Sequence, residues 1–163
     1  MDIEVRIRGL MMDPATNMPI VVLKDPASDA VMPIWVGIFE ANAIAIELEK
    51  VSAPRPMTHD LTRNLIHYLN GRLERVVITE IRDDTFFAVL WLRHGEEPVM
   101  VDARPSDAIA LALRFDCPIF VAEQVMQSAR ITAAASAAEG QSGEQLRGWL
   151  EGLNDEDLGR YKM

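Results

Sequence analysis

The sequence predicts an α+β fold: antiparallel or mixed β-sheet meanders packed with several α-helices in a single compact domain, followed by a C-terminal helical tail. Three observations carry this. The first 36 residues hold short stretches of alternating or β-branched apolar residues separated by turn formers; a second group of the same kind spans residues 73–103; and apolar residues recur at helical spacing between and after the two groups. At 163 residues with 49% hydrophobic and 25% charged residues, the chain has the composition of a globular protein able to bury one core.

Ile3, Val5 and Ile7 alternate with Glu4, Arg6 and Arg8, predicting a half-buried strand over 3–9. A second strand is predicted from Ile20 to Leu23 and a third from Val31 to Val36, joined by the turn-forming Asp25-Pro26-Ala27-Ser28-Asp29 and ended by Gly37. From Glu40 to Val51, Ile44, Leu48 and Val51 fall on one helical face with Ala41 and Ala45 beside them. The proline-rich 52–57 breaks that helix. Thr58 is then expected to cap a second one, with Leu61, Leu65, Tyr68 and Leu69 as its core residues, closed by Asn70-Gly71. This leaves His59, Asp60, Arg63 and His67 near a polar side.

Leu73–Arg82, Thr85–Arg93 and Pro98–Ala103 read as strands joined at Asp83-Asp84 and at His94-Gly95-Glu96-Glu97 by tight hairpin connections. The middle one, Thr85-Phe86-Phe87-Ala88-Val89-Leu90-Trp91-Leu92, is largely non-alternating, which predicts cover on both faces by helices or by another subunit. A helix from Ser106 to Phe115, a short strand from Ile119 to Ala122 and a helix beginning at Glu123 complete a domain expected over 1–126. Alanine, serine and glycine then dominate a linker over 127–143. In the tail, 144–163, Ser142 and Gln145 form a capping-box pattern ahead of Leu146, Trp149 and Leu150, too few apolar residues to fold alone, so it is expected to dock on its own domain or a neighbouring subunit.

The formal net charge of -9 and the absence of a basic tract exclude a nonspecific, salt-driven grip on nucleic acid, so any such contact must be local. One cysteine, Cys117, excludes an intrachain disulfide and a thiolate metal cage and reads as a small core residue. No apolar run approaches the ~18 residues of a membrane span, and the start of the sequence lacks signal-peptide character, so a cytoplasmic protein is expected.

Chemistry concentrates in Asp102-Ala103-Arg104-Pro105-Ser106-Asp107, where a strand end meets the start of an apolar helix. Free backbone amides and the helix dipole favour anions there, phosphate among them. The structural alternative is that Asp102 and Arg104 pair while Ser106 and Asp107 cap.

Three segments in order carry a family resemblance: Pro33-Ile34-Trp35-Val36-Gly37 with Glu40-Ala41; Arg55-Pro56-Met57-Thr58-His59-Asp60-Leu61; and the stretch from Asp102 through Ala112 with Pro118-Ile119-Phe120-Val121. Over most of residues 1–130 the chain resembles the bifunctional nuclease family, and 149–151 with 159–163 look like the ending of bacterial members. The resemblance implies an α+β domain, a tendency to oligomerise, and nuclease activity on RNA and DNA. It supplies no established catalytic set, and the tail lacks the helical repair-type module of some relatives.

Phosphodiester hydrolysis requires charge stabilisation at the phosphoryl oxygens, an activated water and a protonated leaving oxygen. Matched positions offer candidates: His59 as acid or base with Asp60 beside it, Arg104 and Ser106 at the phosphate, Arg63 and Trp35 for substrate, and Asp102, Asp107 and Glu40 as oxygen ligands for Mg²⁺ or Mn²⁺. No histidine-metal box is present. Bland alternatives stand beside these: a helix-start Asp60 favoured by the dipole, a Trp35 packed in the core or an interface, and surface positions for His67 and His94. Glu47 lies about 10 Å along the helix from Glu40, too far to share one metal. The expected partners are RNA or DNA and further copies of the chain. The competing class is a noncatalytic oligomeric scaffold or regulatory module that binds a small anion at the Arg104–Ser106 corner.

Overall fold

The two predicted meanders join into one seven-stranded sheet because the last strand inserts between them. The computed structural model describes residues 1–129. Its elements are β1 (Asp2–Met12), β2 (Pro19–Lys24), β3 (Val31–Trp35), α1 (Ile38–Leu48), α2 (Thr58–Tyr68), β4 (Gly71–Arg82), β5 (Thr85–His94), β6 (Glu97–Ala103), α3 (Pro105–Phe115), β7 (Ile119–Ala122), and a helix α4 over residues 123–129. The strand order is β3-β2-β1-β7-β4-β5-β6. Neighbours are antiparallel except β4 and β7, whose parallel pairing makes the sheet mixed.

Alternation along the strands sets the core. Val5, Val76, Ile78, Ala88, Leu90, Ile119 and Val121 turn one face toward Ile44 of α1 and Ala108, Ile109 and Leu111 of α3. The connections are the tight ones expected. Asp83 and Asp84 take φ values of 50° and 59° between β4 and β5, and Gly95 takes 61° between β5 and β6. Val125, Met126 and Ala129 of α4 also belong to the core. The tail over 144–163 and the linker beyond 129 lie outside the described residues.

Several expectations change. α1 starts two residues earlier than expected and stops at Leu48, so Val51 is exposed, Leu48 is partly so, and the buried face is made by Ala41, Ala43, Ile44 and Ala45. Met57 is the N-cap of α2, and its backbone N–H donates to Asp60 Oδ2 at 2.9 Å. The expected α2 core residues are all solvent-exposed: Leu61 52%, Leu65 54%, Tyr68 81% and Leu69 69%. α2 has no buried residue, because its polar side packs on α3, where Arg114 and Asp107 need partners. Arg104, not Ser106, is the N-cap of α3, with Pro105 at the first helical position and Ser106 buried. β5 is covered on one face only by the described helices, and His67 and His94 are exposed as expected. Among the described residues no helix is long and apolar enough to cross a membrane.

Candidate functional site

α1, α2 and α3 each carry an acidic residue at the third helical position, Glu40, Asp60 and Asp107, where the dipole favours a carboxylate. The fold gives each of these acids an arginine, and the result is two adjacent ionic clusters.

The first cluster is open to solvent. His59 Nε2 lies 2.8 Å from Asp107 Oδ1; Arg104 Nε donates to Asp107 Oδ2 at 2.8 Å; and Arg104 Nη2 lies 2.9 Å from Glu40 Oε1. The side chains of His59, Glu40 and Asp107 are 15%, 17% and 28% exposed against 66% for Arg104, so the guanidinium is the group presented to a ligand. Burial pushes the Asp107 carboxyl up, but hydrogen bonds from Arg104 and His59 outweigh it and hold the carboxyl below the usual range. Asp107 in turn raises Arg104. A carboxylate held ionised accepts but cannot donate, so the proton of this contact sits on His59 Nε2, which leaves Nδ1 as the ring nitrogen not engaged by Asp107. Arg104 uses two of its five N–H donors here.

The second cluster is closed. The Arg114 side chain is fully buried, with Nε donating to Asp60 Oδ1 at 2.8 Å and Nη1 donating to the carbonyls of Ala43 at 3.1 Å and Ala110 at 2.9 Å. It ties α3 to α1 and α2. Asp60, expected as a catalytic neighbour of His59, is thus a structural anchor whose carboxyl burial would raise but the Met57 N–H and Arg114 hold low. Arg114 was not among the sequence candidates. Its signal was available, since it lies seven residues after Asp107, two turns along the same face of an otherwise apolar helix.

The other candidates fall elsewhere. Asp102 pairs with Val89 in the β5–β6 ladder, which turns it to the sheet face opposite Leu90, Val101 and the helices, so it does not pair with Arg104. Trp35 is 43% exposed and donates Nε1–H to Asp13 Oδ2 at 3.0 Å. Ser106 is buried within the first turn of α3. Arg63 donates to Asn64 Oδ1 and lines, with Arg55, Glu47 and Asp60, a groove of about 280 Å³ under the 52–56 connection. Among the described residues no three His, Cys, Asp or Glu side chains converge as a metal site, and Asp102 is separated by the sheet from Glu40 and Asp107. The trio expected to hold Mg²⁺ or Mn²⁺ is therefore not assembled.

The family model described as the bifunctional nuclease domain matches residues 21–134. A protein of Mycobacterium tuberculosis (strain ATCC 25618 / H37Rv), described as uncharacterized, is 36% identical over 95% of this chain and 97% of its own length. Bifunctional nuclease 1 of Oryza sativa subsp. indica is 28% identical over 69% of this chain, and Bifunctional nuclease 1 of Arabidopsis thaliana is 26% identical over 81%. The aligned region spans only 35% and 44% of those two plant proteins.

Proposed function

Because the chain belongs to the bifunctional nuclease domain family, we propose that it hydrolyses phosphodiester bonds of RNA and DNA at the Glu40–Arg104–Asp107–His59 cluster. The observation that carries this is the 2.8 Å contact of His59 Nε2 with Asp107, itself fixed by Arg104, which places an oriented imidazole beside an exposed guanidinium. Arg104 binds the phosphate through its remaining N–H groups and stabilises charge on the phosphoryl oxygens as the attacking oxygen adds. His59 Nδ1 takes the proton of that attacking water, the imidazolium is steadied by Asp107, and the leaving oxygen, on the opposite side of phosphorus, takes its proton from solvent. No step runs through a metal. The reading is tested with rigorously repurified protein on labelled single-stranded RNA and DNA, with and without EDTA. Cleavage that survives EDTA and scales with the protein supports it; an EDTA-sensitive activity would call for Mg²⁺ or Mn²⁺ held by residues other than the expected trio.

A noncatalytic, anion-binding module is the second reading, favoured by one observation: Arg104 already faces two carboxylates, which compete with phosphate. Phosphate binding without cleavage would establish it. Self-association belongs to either reading. β6 is an edge strand with Val99, Met100 and Val101 exposed, and we propose that it pairs with a second copy. We place the protein in the cytoplasm, consistent with its free thiol at Cys117.

A further inference from the structure

The sheet face opposite the helices carries a pattern that the cleavage proposal does not use. Arg6 pairs across the ladder with Lys24, and Arg75 with Trp91, which pairs in turn with Met100. The ladders through β7 align Val5, Ile119 and Val76, so the next residue on β1, Arg6, and the preceding one on β4, Arg75, share a line across the sheet. Val5 and Val76 point into the core, so Lys24, Arg6, Arg75, Trp91 and Met100 project from the other face. At ~4.8 Å per strand this line runs about 24 Å from β2 to β6.

Glu4, opposite Phe120, and Asp102 on β6 share the face, but among the described residues neither forms an ion pair with a cation of this line. Arg72, Arg82 and Arg93 on the same face are each paired with Glu74 or Glu80. Lys24, Arg6 and Arg75 have no carboxylate partner among the described residues. Arg75 instead lies over two half-exposed rings, 4.5 Å from the centroid of Trp91 and 5.7 Å from that of Phe120. A guanidinium that contacts ring faces still has N–H groups for phosphate, and the rings beside it can stack a base.

We propose that this outer face binds single-stranded nucleic acid, with phosphates on Lys24, Arg6 and Arg75 and bases stacked at Trp91, Arg75 and Phe120. Three cations without an ion-pair partner, one of them lying over two rings, match a strand that exposes phosphate and base together. A duplex hides its bases, and among the described residues this sheet face offers no element to enter a groove. The local cluster also meets the requirement set by a net charge of -9, that any nucleic-acid contact be confined to one patch.

The test is fluorescence anisotropy of labelled 12-nucleotide poly(dT) and poly(U) with the full chain in EDTA, titrated at several salt concentrations. The triple variant R6Q/K24Q/R75Q should weaken binding at least tenfold and reduce the slope of log K against log salt by about 2, three contacts at ~0.7 each for a single strand. W91F should remove part of the tryptophan quenching on binding while keeping the melting temperature, and a duplex of the same length should bind more weakly. The proposal is overturned if the wild type does not bind, or if the triple variant binds with unchanged affinity and slope. It is also overturned if the triple variant instead turns an oligomer into a monomer with binding intact, since the face would then belong to a second copy. Binding is read without cleavage, so a chain that binds but does not cut removes the proposed activity and leaves this face standing.

Discussion

Replacing Arg114 with methionine should destabilise the fold severely while leaving the open His59 cluster chemically complete. The guanidinium is fully buried and makes a 2.8 Å pair with Asp60 and two hydrogen bonds to the carbonyls of Ala43 and Ala110. Methionine fills the space of the stem, so the loss is ionic and polar. Removing one partner of a buried pair costs ~3–5 kcal/mol. Asp60 keeps the Met57 N–H and is 17% exposed, which places the cost at the lower end, about 3 kcal/mol. For a chain of this size, at ~2–4 °C per kcal/mol, the melting temperature should fall by about 6–12 °C. Asp60→Asn should also destabilise, since it leaves the buried arginine charge only the more distant Glu47 Oε1, 4.0 Å from Nε. R114M combined with D60N should cost clearly less than the sum, because both remove the same contact. Thermal unfolding followed by circular dichroism measures all four proteins. A fall under 2 °C for R114M, or strict additivity in the double variant, would refute the reasoning.

The Asp13, Asp60 and Asp107 carboxyls are held low: burial raises each, but hydrogen bonds from Trp35 and the Ala15 N–H, from the Met57 N–H and Arg114, and from Arg104 and His59 outweigh it. A lowered folded-state value contributes stability that is present above the unfolded value, ~4, and is lost as pH falls through the folded one, so urea midpoints should drop steeply below pH 4, and less steeply in R114M. Burial, aided by Asp116 and opposed by a backbone hydrogen bond, pushes the Cys117 thiol up to about 11, so native protein should react far more slowly with iodoacetamide at pH 8 than protein unfolded in urea, and equal rates would contradict the packing. An added Cβ at Gly37 would meet the Glu40 carboxylate, while its φ of -70° suits any residue. Gly37→Ala should therefore swing Glu40 off Arg104 and strengthen inorganic phosphate binding up to about fivefold by calorimetry, with little change in melting temperature; unchanged phosphate binding would show that Glu40 does not compete for Arg104.

The strands and helices were legible because alternation and helical spacing report burial, and the hairpins were legible because Asp83-Asp84 and Gly95 satisfy turn geometry directly. What local pattern could not carry was partner choice. Leu61, Leu65, Tyr68 and Leu69 form a proper apolar stripe, yet α2 turns it outward because its other side meets buried Arg114 and Asp107. Asp102 and Arg104 are two residues apart, yet the pleat of β6 turns Asp102 to the outer face just before the chain bends into α3. The convergence of Glu40, His59, Arg104 and Asp107 was legible as a set of motif positions. Their contacts depend on how α1, α2 and α3 bring their N-terminal turns together, a long-range result of sheet order. The line from Lys24 to Met100 was invisible for the same reason, since it depends on β7 aligning strands from both halves of the domain.

The most direct test of the proposed chemistry compares His59→Gln and Arg104→Gln with the wild type in cleavage of a labelled single-stranded RNA, with melting temperatures measured on the same preparations. Arg104 is 66% exposed, and its ion pairs at the rim contribute at most ~1 kcal/mol, so both variants should melt within a few degrees of the wild type. Loss of the charge-stabilising donor should lower the rate ~100- to 1,000-fold, and loss of the proton carrier by a comparable factor. Folded variants that cleave at the wild-type rate would contradict the account and leave the cluster as an anion-binding corner.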